Sequence, residues 1–555
     1  MSWWLRNNLR LIQTNLRETD AGMDVERLIG DLQDFGANAL MMNAGGIFAF
    51  YPTELEYHYR TPYLRHDVLG EAIRRAHEAG MRFFARFDFS KAHESIYARH
   101  PEWFYRTREG REVNYNGIVH TCVNGGYQQD YSLRILEEVL TRYPVDGIFF
   151  NMFGYQTRDY SGNEYGICHC ASCRTRFMAE YGHELPASRT DGGAAGAAYR
   201  AFQWATTRDM LARIRAHVKA LRPDVAISTY NEYGVDIVRK ESNTALARPH
   251  PLWLYSASEN VQSVEDSWAD KTISNCCINA VDLQHRFMGV SPHEVRLRLY
   301  ESIASGSGLD FCIIGVFADY PDRAGLDAVR EVYRFHRRHE RYFGQLRSAA
   351  RLALIKPSGP RAAGAAEYHG LYKMLKEAHL PFDVIVQHTL ADHAAPLRER
   401  CAALIVPDLP VLQPEEAQTL LELQRAGVHL VLTGGSLTDP AHAEALRELL
   451  DAAYDGPMTD TDAAYLLTAE TAAAQAPPLD GAQMSTAGRS DGAQTSAAGG
   501  SDGVWPPRPR EPEATAGTRS QAAAADRESR EPGELVPVRP ASAAPVAGSG
   551  DLAQP

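Results

Sequence analysis

The chain has 555 residues, 44% of them hydrophobic and 23% charged, with a formal net charge of -13 at neutral pH. That length holds more than one domain, and the balance is that of a soluble globular protein. The acidic charge excludes a phosphate-binding face and with it a nucleic-acid partner, and no stretch approaches the ~20 apolar residues of a membrane span. The opening MSWWLRNNLRL has no uninterrupted apolar run, so no secretory leader is expected. A cytoplasmic location is the expectation.

Over residues 1–345, short apolar runs alternate with amphipathic ones. The expected strands are LRLIQT (9–14), NALMMN (38–43), MRFFARFD (81–88), DGIFFN (146–151), VAISTYNE (225–232), LWLYSASE (252–259), CCINAVD (276–282) and DFCIIGVF (310–317). Helical patterns such as VLGEAIRRAHEAG and SLRILEEVLTRY fall between several of them. Eight strands alternating with helices predict an α/β protein with a (β/α)8 TIM barrel; a doubly wound open sheet is the alternative. Polar residues cluster at the strands' C-terminal ends, where barrel enzymes keep their sites.

Residues 346–465 read as a second, flavodoxin-like (class I glutamine amidotransferase-like) domain. LALI, FDVIV, AALIVP and VHLVLTGG are its expected parallel strands, separated by EYHGLYKMLKEA and PEEAQTLLELQRAG. An active glutaminase-type domain needs a cysteine on a tight turn after a strand. The turn here is VPDLP, and Cys401 precedes its strand, so a structural or oligomerising role is expected. In residues 466–555 apolar periodicity ends. DGAQMSTAGRS (480–490) is followed by DGAQTSAAGGS (491–501), and Trp505 is the only aromatic residue. Such composition buries too little surface to offset its ordering entropy, so a disordered tail is expected.

Cys168-x-Cys170-x-x-Cys173 lies shortly after the fourth strand, and Cys122 lies after the third. Neighbouring barrel loops bring these thiols together as a tetrahedral set for a structural Zn2+ with no open position. His169, between two of them, could replace one ligand, and four free thiols are the bland alternative.

A barrel with this cysteine pattern and a flavodoxin-like second domain resembles the family 42 β-galactosidases. LRLIQTNLRETDAGMD, NAGGIFAFYPT, ARFDFSK, HPEWFYR, HTCVNGGYQQDY, DGIFFNMFGYQTRDYSG and SASENV resemble more closely the hypothetical glycosyl hydrolases related to them. The likeness covers roughly residues 3–435. It implies a glycosidase acting on a soluble carbohydrate, a structural zinc, and a homo-oligomer, trimer or dimer, through the second domain. It also exposes a departure. The family places an Asn-Glu acid/base after strand four and a glutamate nucleophile after strand seven. Here strand four ends Asn151-Met152, and the expected strand seven ends at Asp282.

Glycoside hydrolysis needs a protonated and an ionised carboxyl group flanking the bond. Strand ends offer Asp88, Glu232, Glu259 and Asp282. Glu232, preceded by Asn231, is expected as acid/base, and Glu259 as nucleophile or base. Asp88, Arg86, Asn151, Asn231, Asp282, His120 and Asn43 are expected to bind substrate, with Gln13, Asn15 and Asn124 nearby and Tyr51, Tyr155 and Trp253 as stacking candidates. Glu164 and Asp159 are outside candidates. The competing readings are a carbohydrate-binding protein that lost the acid/base, and a different hydrolase or lyase on the same barrel.

Overall fold

A computed structural model describes residues 2–244, 250–281, 285–344, 346–358, 364–451, 454 and 456. Eight parallel strands close a barrel in sequence order: β1 (Arg10–Asn15), β2 (Ala39–Gly46), β3 (Arg82–Asp88), β4 (Gly147–Phe150), β5 (Ala226–Thr229), β6 (Ile237–Ser242), β7 (Thr272–Ile278) and β8 (Leu309–Ile314). β1 pairs with both β2 and β8, so the sheet has no free edge.

Strand alternation sets the two faces. Leu11, Met41, Phe84, Phe149, Ala226 and Ile237 fill the barrel interior, with Trp4 and Leu9 at its N-terminal end. Ile12, Leu40, Phe83, Ile148, Ile227 and Val238 face the surrounding helices. Each such buried side chain contributes about 1.5–3 kcal/mol. The helices are α1 (Val25–Phe35), α2 (Val68–Glu78), α3 (Ser132–Arg142), α4 (Ala171–Tyr181), α5 (Gly193–Leu221), α6 (His250–Glu265), α7 (Pro292–Ala304) and α8 (Leu326–Arg338). Their starts carry local signals: the Asp24 and Asp67 side chains accept from the Arg27 and Gly70 amides and cap α1 and α2. Gly46, at φ +105°, lies just past a register shift in β2. A Cβ there would meet Asp88 O at 2.1 Å, so glycine lets β2 lie against the end of β3.

The barrel departs from the expected elements at the sixth strand. LWLYSASE (252–259) lies in helix α6, and β6 is the more polar IVRKES. Short apolar runs fit a buried helix as well as a strand. Residues 230–236 join β5 directly to β6, with no helix between them. The Asp236 carboxylate anchors that loop, accepting from Ile227 N at 2.9 Å and pairing with Arg215 and Lys219 of α5. β7 ends at Ile278, short of Asp282, which lies outside the described residues.

Beyond the barrel, β9 (Leu352–Lys356), β10 (Asp383–Val386), β11 (Ala403–Pro407) and β12 (His429–Thr433) form a parallel sheet ordered β10-β9-β11-β12. Helices α9 (Ala365–Glu377), α10 (Ala394–Arg400), α11 (Pro414–Arg425) and α12 (Ala443–Leu450) accompany it. The edge strand β10 is capped by the barrel. Val384 N donates to Asp266 Oδ2 at 2.9 Å, Val386 N donates to Ser267 Oγ at 2.9 Å, and Ser267 Oγ donates to Val384 O at 3.2 Å. Side chains thus satisfy backbone groups that a bare edge would expose. The segment expected to be a disordered tail lies outside the described residues.

Candidate active site

The barrel interior turns polar toward the C-terminal ends of its strands. A hydrogen-bonded line crosses four adjacent strands there. Asp88, ending β3, accepts from Ser90 N at 3.0 Å and Ser90 Oγ at 2.5 Å through Oδ1, and from Asn151 Nδ2 at 2.8 Å through Oδ2. Asn151 follows β4. Its Oδ1 lies 2.8 Å from the hydroxyl of Tyr230, the first residue after β5. That hydroxyl lies 3.0 Å from Glu241 Oε1 on β6, and Glu241 Oε2 accepts from Asn243 Nδ2 at 3.1 Å.

The proton count along this line is informative. Asp88 meets only donors. Asn151 spends its Nδ2 on Asp88, so its Oδ1 must accept. Burial holds the Tyr230 phenol well above its ordinary value, so it keeps its single proton. That proton cannot satisfy Asn151 Oδ1 and a Glu241 carboxylate together. The Tyr230 hydroxyl therefore sits between two acceptors, Asn151 Oδ1 and Glu241 Oε1, and bridges the ends of β4 and β6.

Two buried cations adjoin the line. Arg86 sits one inward position before Asp88 on β3, almost fully buried, with Nε and Nη2 unpartnered among the described residues. Lys91 is also buried; its Nζ donates to Ser90 Oγ at 3.1 Å and lies 4.7 Å from the centre of the Tyr160 ring. Burial lowers the Lys91 pKa, Asp88 opposes this, and Arg86 adds to it.

The two expected catalytic glutamates lie elsewhere. Glu259 is on α6, not at a strand end, and pairs with Lys356 of β9 at 2.9 Å. Burial would raise its pKa, but Lys356 and then His369 outweigh this and hold it at about 2. The expected sixth strand at 252–259 is therefore corrected: the strand is a different segment, and this carboxylate faces the second domain. Glu232, in the β5–β6 loop, pairs with Lys240 at 2.9 Å. Lys240 is on β6 between the inward-facing Arg239 and Glu241, so it points outward. Glu232 is held there as an ion-pair partner, its pKa lowered by Lys240 against the cost of burial.

Of the expected binding residues, Asp88, Arg86 and Asn151 come together at the mouth. Asn231 Oδ1 accepts from Tyr233 N at 3.3 Å within its own loop, and Asn43 Oδ1 accepts from Leu16 N at 2.9 Å, tying β1 to β2. His120 is fully buried in a small antiparallel sheet opposite Lys91, and burial drops its pKa to about 3. Gln13 Oε1 accepts from Arg239 inside the barrel at 2.5 Å. Tyr51 is core and donates to Glu138, while Tyr155 packs beside the cysteines and takes a bond from Asn124 at 2.8 Å. Trp253 falls in α6, with its side chain outside the described residues. Glu164 pairs with Arg158 at 2.5 Å, and Asp159 takes four bonds within its own loop, from Ser161, Asn163 and Tyr165.

Tyr230, Glu241 and Lys91 were not anticipated. Glu241 follows Ile237 and Arg239 at strand period on an inward face, and that alternation was the available signal.

Cys122, Cys168, Cys170 and Cys173 are all buried, with their sulfurs within 4.8 Å of one another. Cys122 Sγ lies 3.3 Å from Cys173 Sγ and 3.4 Å from Cys170 Sγ. Four thiolates around one zinc with Zn–S near 2.3 Å have S···S edges of ~3.8 Å, so the cluster has the size of such a site. Asn124 adds outer support, donating from N to Cys122 Sγ and from Nδ2 to Cys173 Sγ, each at 3.3 Å. The cluster can hold a metal ion.

A cavity of about 810 Å3 lined by Trp3, Arg6, His77, Arg82 and Asp146 lies at the opposite, N-terminal face of the barrel. Its acid, Asp146, is already paired with His77 and Arg82 at 2.9 Å each.

Residues 24–152 match the family described as "Hypothetical glycosyl hydrolase 6". The match bears out the resemblance read from the barrel motifs. No curated protein matches the chain significantly. Among solved structures, α-L-fucosidase isoenzyme 2 from Paenibacillus thiaminolyticus aligns at 18% identity and TM-score 0.62, over 80% of this chain and 66% of that one. A GH42 β-galactosidase from G. stearothermophilus, solved as a catalytic mutant, aligns at 17% identity and TM-score 0.58, over 81% and 74%. The β-galactosidase from Bacillus circulans sp. alkalophilus aligns at 14% identity and TM-score 0.56, over 78% and 71%. At these identities the likeness is one of fold, and the chain spans just under two thirds of the fucosidase.

Proposed function

We propose that this chain, which matches the hypothetical glycosyl hydrolases over residues 24–152, is a glycoside hydrolase acting on a soluble saccharide. The observation that carries the reading is the line Asp88–Asn151–Tyr230–Glu241 at the barrel mouth. It supplies two carboxyl groups on the inward faces of β3 and β6, joined through an amide and a phenol. Glycoside hydrolysis uses such a pair, one protonated and one ionised. Glu241 is the general acid: its proton goes to the glycosidic oxygen as the bond to the anomeric carbon breaks. Asp88 is the ionised partner, acting on the anomeric carbon directly or through a water. Asn151 and Tyr230 hold the two carboxyls in register.

The glycosidases of similar fold support this reading at the level of fold. The four cysteines are proposed to hold a structural zinc, because their donor set is closed and the carboxyl line does not include them. The zinc would fix the loops after β3 and β4, the strands that present Asp88 and Asn151. The four-stranded second unit is read as flavodoxin-like and oligomerising, with residues 1–345 as the barrel, 346–465 as the second domain and 466–555 as the tail. No helix among the described residues is long and apolar enough to cross a membrane.

One observation favours a second reading. Strand four ends Asn151-Met152, with no acid where family 42 has its acid/base. A carbohydrate-binding protein without hydrolysis would fit that loss. Incubating the protein with aryl glycosides tests the choice. Turnover that Glu241→Gln abolishes supports the hydrolase, and ligand binding without turnover supports the alternative.

A further inference from the structure

The barrel mouth presents a buried guanidinium edge without a hydrogen-bond partner among the described residues. The Arg86 side chain is 1% exposed, yet Nε and Nη2 have no partner among the described residues. These two nitrogens form the side-on edge of a guanidinium, whose parallel N–H bonds match the two oxygens of a carboxylate. The nearest acid on the same strand, Asp88, is taken by Ser90 and Asn151. Glu241 is taken by Tyr230 and Asn243. Lys91, equally buried, donates to Ser90 Oγ. Its ammonium has three N–H donors. Above it stands Tyr160, whose hydroxyl is buried and unpartnered among the described residues. Arg286, from the loop after β7, is close enough to Tyr160 for their charges to interact.

Buried cations are expected to be paired, and an isolated one is costly. Asp88 offsets the charge of Lys91, but the Nε–Nη2 edge of Arg86 is left without an acceptor among the described residues. A planar anion fits that edge with two parallel hydrogen bonds, which a single sugar hydroxyl cannot make.

We infer that the saccharide bound at this mouth is anionic and that its carboxylate, as in a uronic acid residue, docks on the Nε–Nη2 edge of Arg86 beside Lys91. The inference rests on the glycosidase reading of the same site and specifies its substrate class.

The test compares aryl glucuronides and galacturonides with the matching aryl glucosides and galactosides, using the full chain, with a 6-sulfated aryl galactoside as a further arm. The expected result is a kcat/KM at least 100-fold higher for the uronides than for their neutral counterparts. Arg86→Lys, which keeps the charge but loses the bidentate edge, narrows that ratio at least tenfold. If the variant does not fold, the wild-type ratio decides alone. A preference for the sulfated over the carboxylated sugar retains the anion site and replaces the carboxylate as its source. Equal or better turnover of neutral glycosides overturns the inference while leaving the glycosidase reading intact. With no glycoside cleaved, calorimetry with free glucuronate and galacturonate against glucose and galactose separates the two claims. Selective uronate binding keeps the anion site and rejects hydrolysis; no selectivity rejects the anion site as well.

Discussion

The Tyr230 hydroxyl stands 3.0 Å from Glu241 Oε1, joining two strands that the barrel connects without a helix. The short 230–236 connection brings Tyr230 directly off β5, and the inward face of β6 presents Glu241 to it. Asn151 takes the other side of the same hydroxyl at 2.8 Å. The Tyr230 hydroxyl thus links Glu241 on β6 to Asp88 on β3 through a single amide.

Tyr230→Phe removes that link while keeping the ring that packs edge-on against Phe149. The expected effect is a fall of about 10- to 100-fold in kcat, within the range for a displaced acid/base group, with KM little changed. Steady-state kinetics on the best aryl glycoside measures it. A rise in KM with kcat intact would assign Tyr230 to substrate binding instead.

Glu259 should matter to stability. Its carboxylate is paired with Lys356 across the contact between α6 and β9 and held at about 2. A depressed folded pKa contributes stability above the unfolded value of ~4.3, and this is lost as pH falls toward the folded value. Glu259→Gln should therefore destabilise at neutral pH, by about 1–3 kcal/mol, and lose the extra acid sensitivity between pH ~4.3 and ~2. Chemical denaturation across that range checks it. Catalytic activity of the folded variant should stay within about threefold of the parent, since the side chain pairs with Lys356 and takes no part in the carboxyl line.

Glu265 behaves in the opposite sense. Burial raises its carboxyl from 4.5 to about 7, against bonds from Ile273 N at 3.2 Å and Asn7 Nδ2 at 2.6 Å. A raised acid stabilises the fold while protonated, and the contribution is lost as pH rises through the window between the two values. Stability should decline by up to roughly 3 kcal/mol from pH ~4.5 to ~7, at ~1.4 kcal/mol per unit. Glu265→Gln keeps an acceptor for both bonds and should flatten that slope in denaturant titrations.

The fold was largely legible because its signals are local. The apolar runs at 9–14, 38–43, 81–88 and 146–151 are β1 to β4 with small shifts at the ends. The four runs of the second sheet are likewise strands. What misled was β6, where IVRKES carries an arginine, a lysine and a glutamate. Its charges find partners across the fold: Asp310 and Gln13 for Arg239, Glu232 for Lys240 and Tyr230 for Glu241. LWLYSASE offered a more apolar substitute, but its later residues lie on α6, where Tyr255 and Ser258 meet the second domain. Misplacing that strand put the expected strand-six carboxylate at Glu259, whereas β6 carries Glu241. Asp88, Arg86 and Asn151 were legible because strand period alone places them at the mouth.

The zinc proposal predicts one zinc per chain in protein purified without chelator, measured by elemental analysis. Cys170→Ser should reduce that content and lower Tm by roughly 5–10 °C, corresponding to ~2–3 kcal/mol. Cys170 is also the residue that caps α4, accepting from Cys173 N at 3.4 Å. Full metal content in that variant would count against the four-thiolate site.

The most direct measurement is hydrolysis of an aryl glycoside panel by the parent and by Glu241→Gln, Asp88→Asn, Glu232→Gln and Glu259→Gln. The account predicts losses of about 10²- to 10⁴-fold for the first two variants and less than about threefold for the last two. Activity that survives Glu241→Gln but collapses in Glu232→Gln or Glu259→Gln would contradict it.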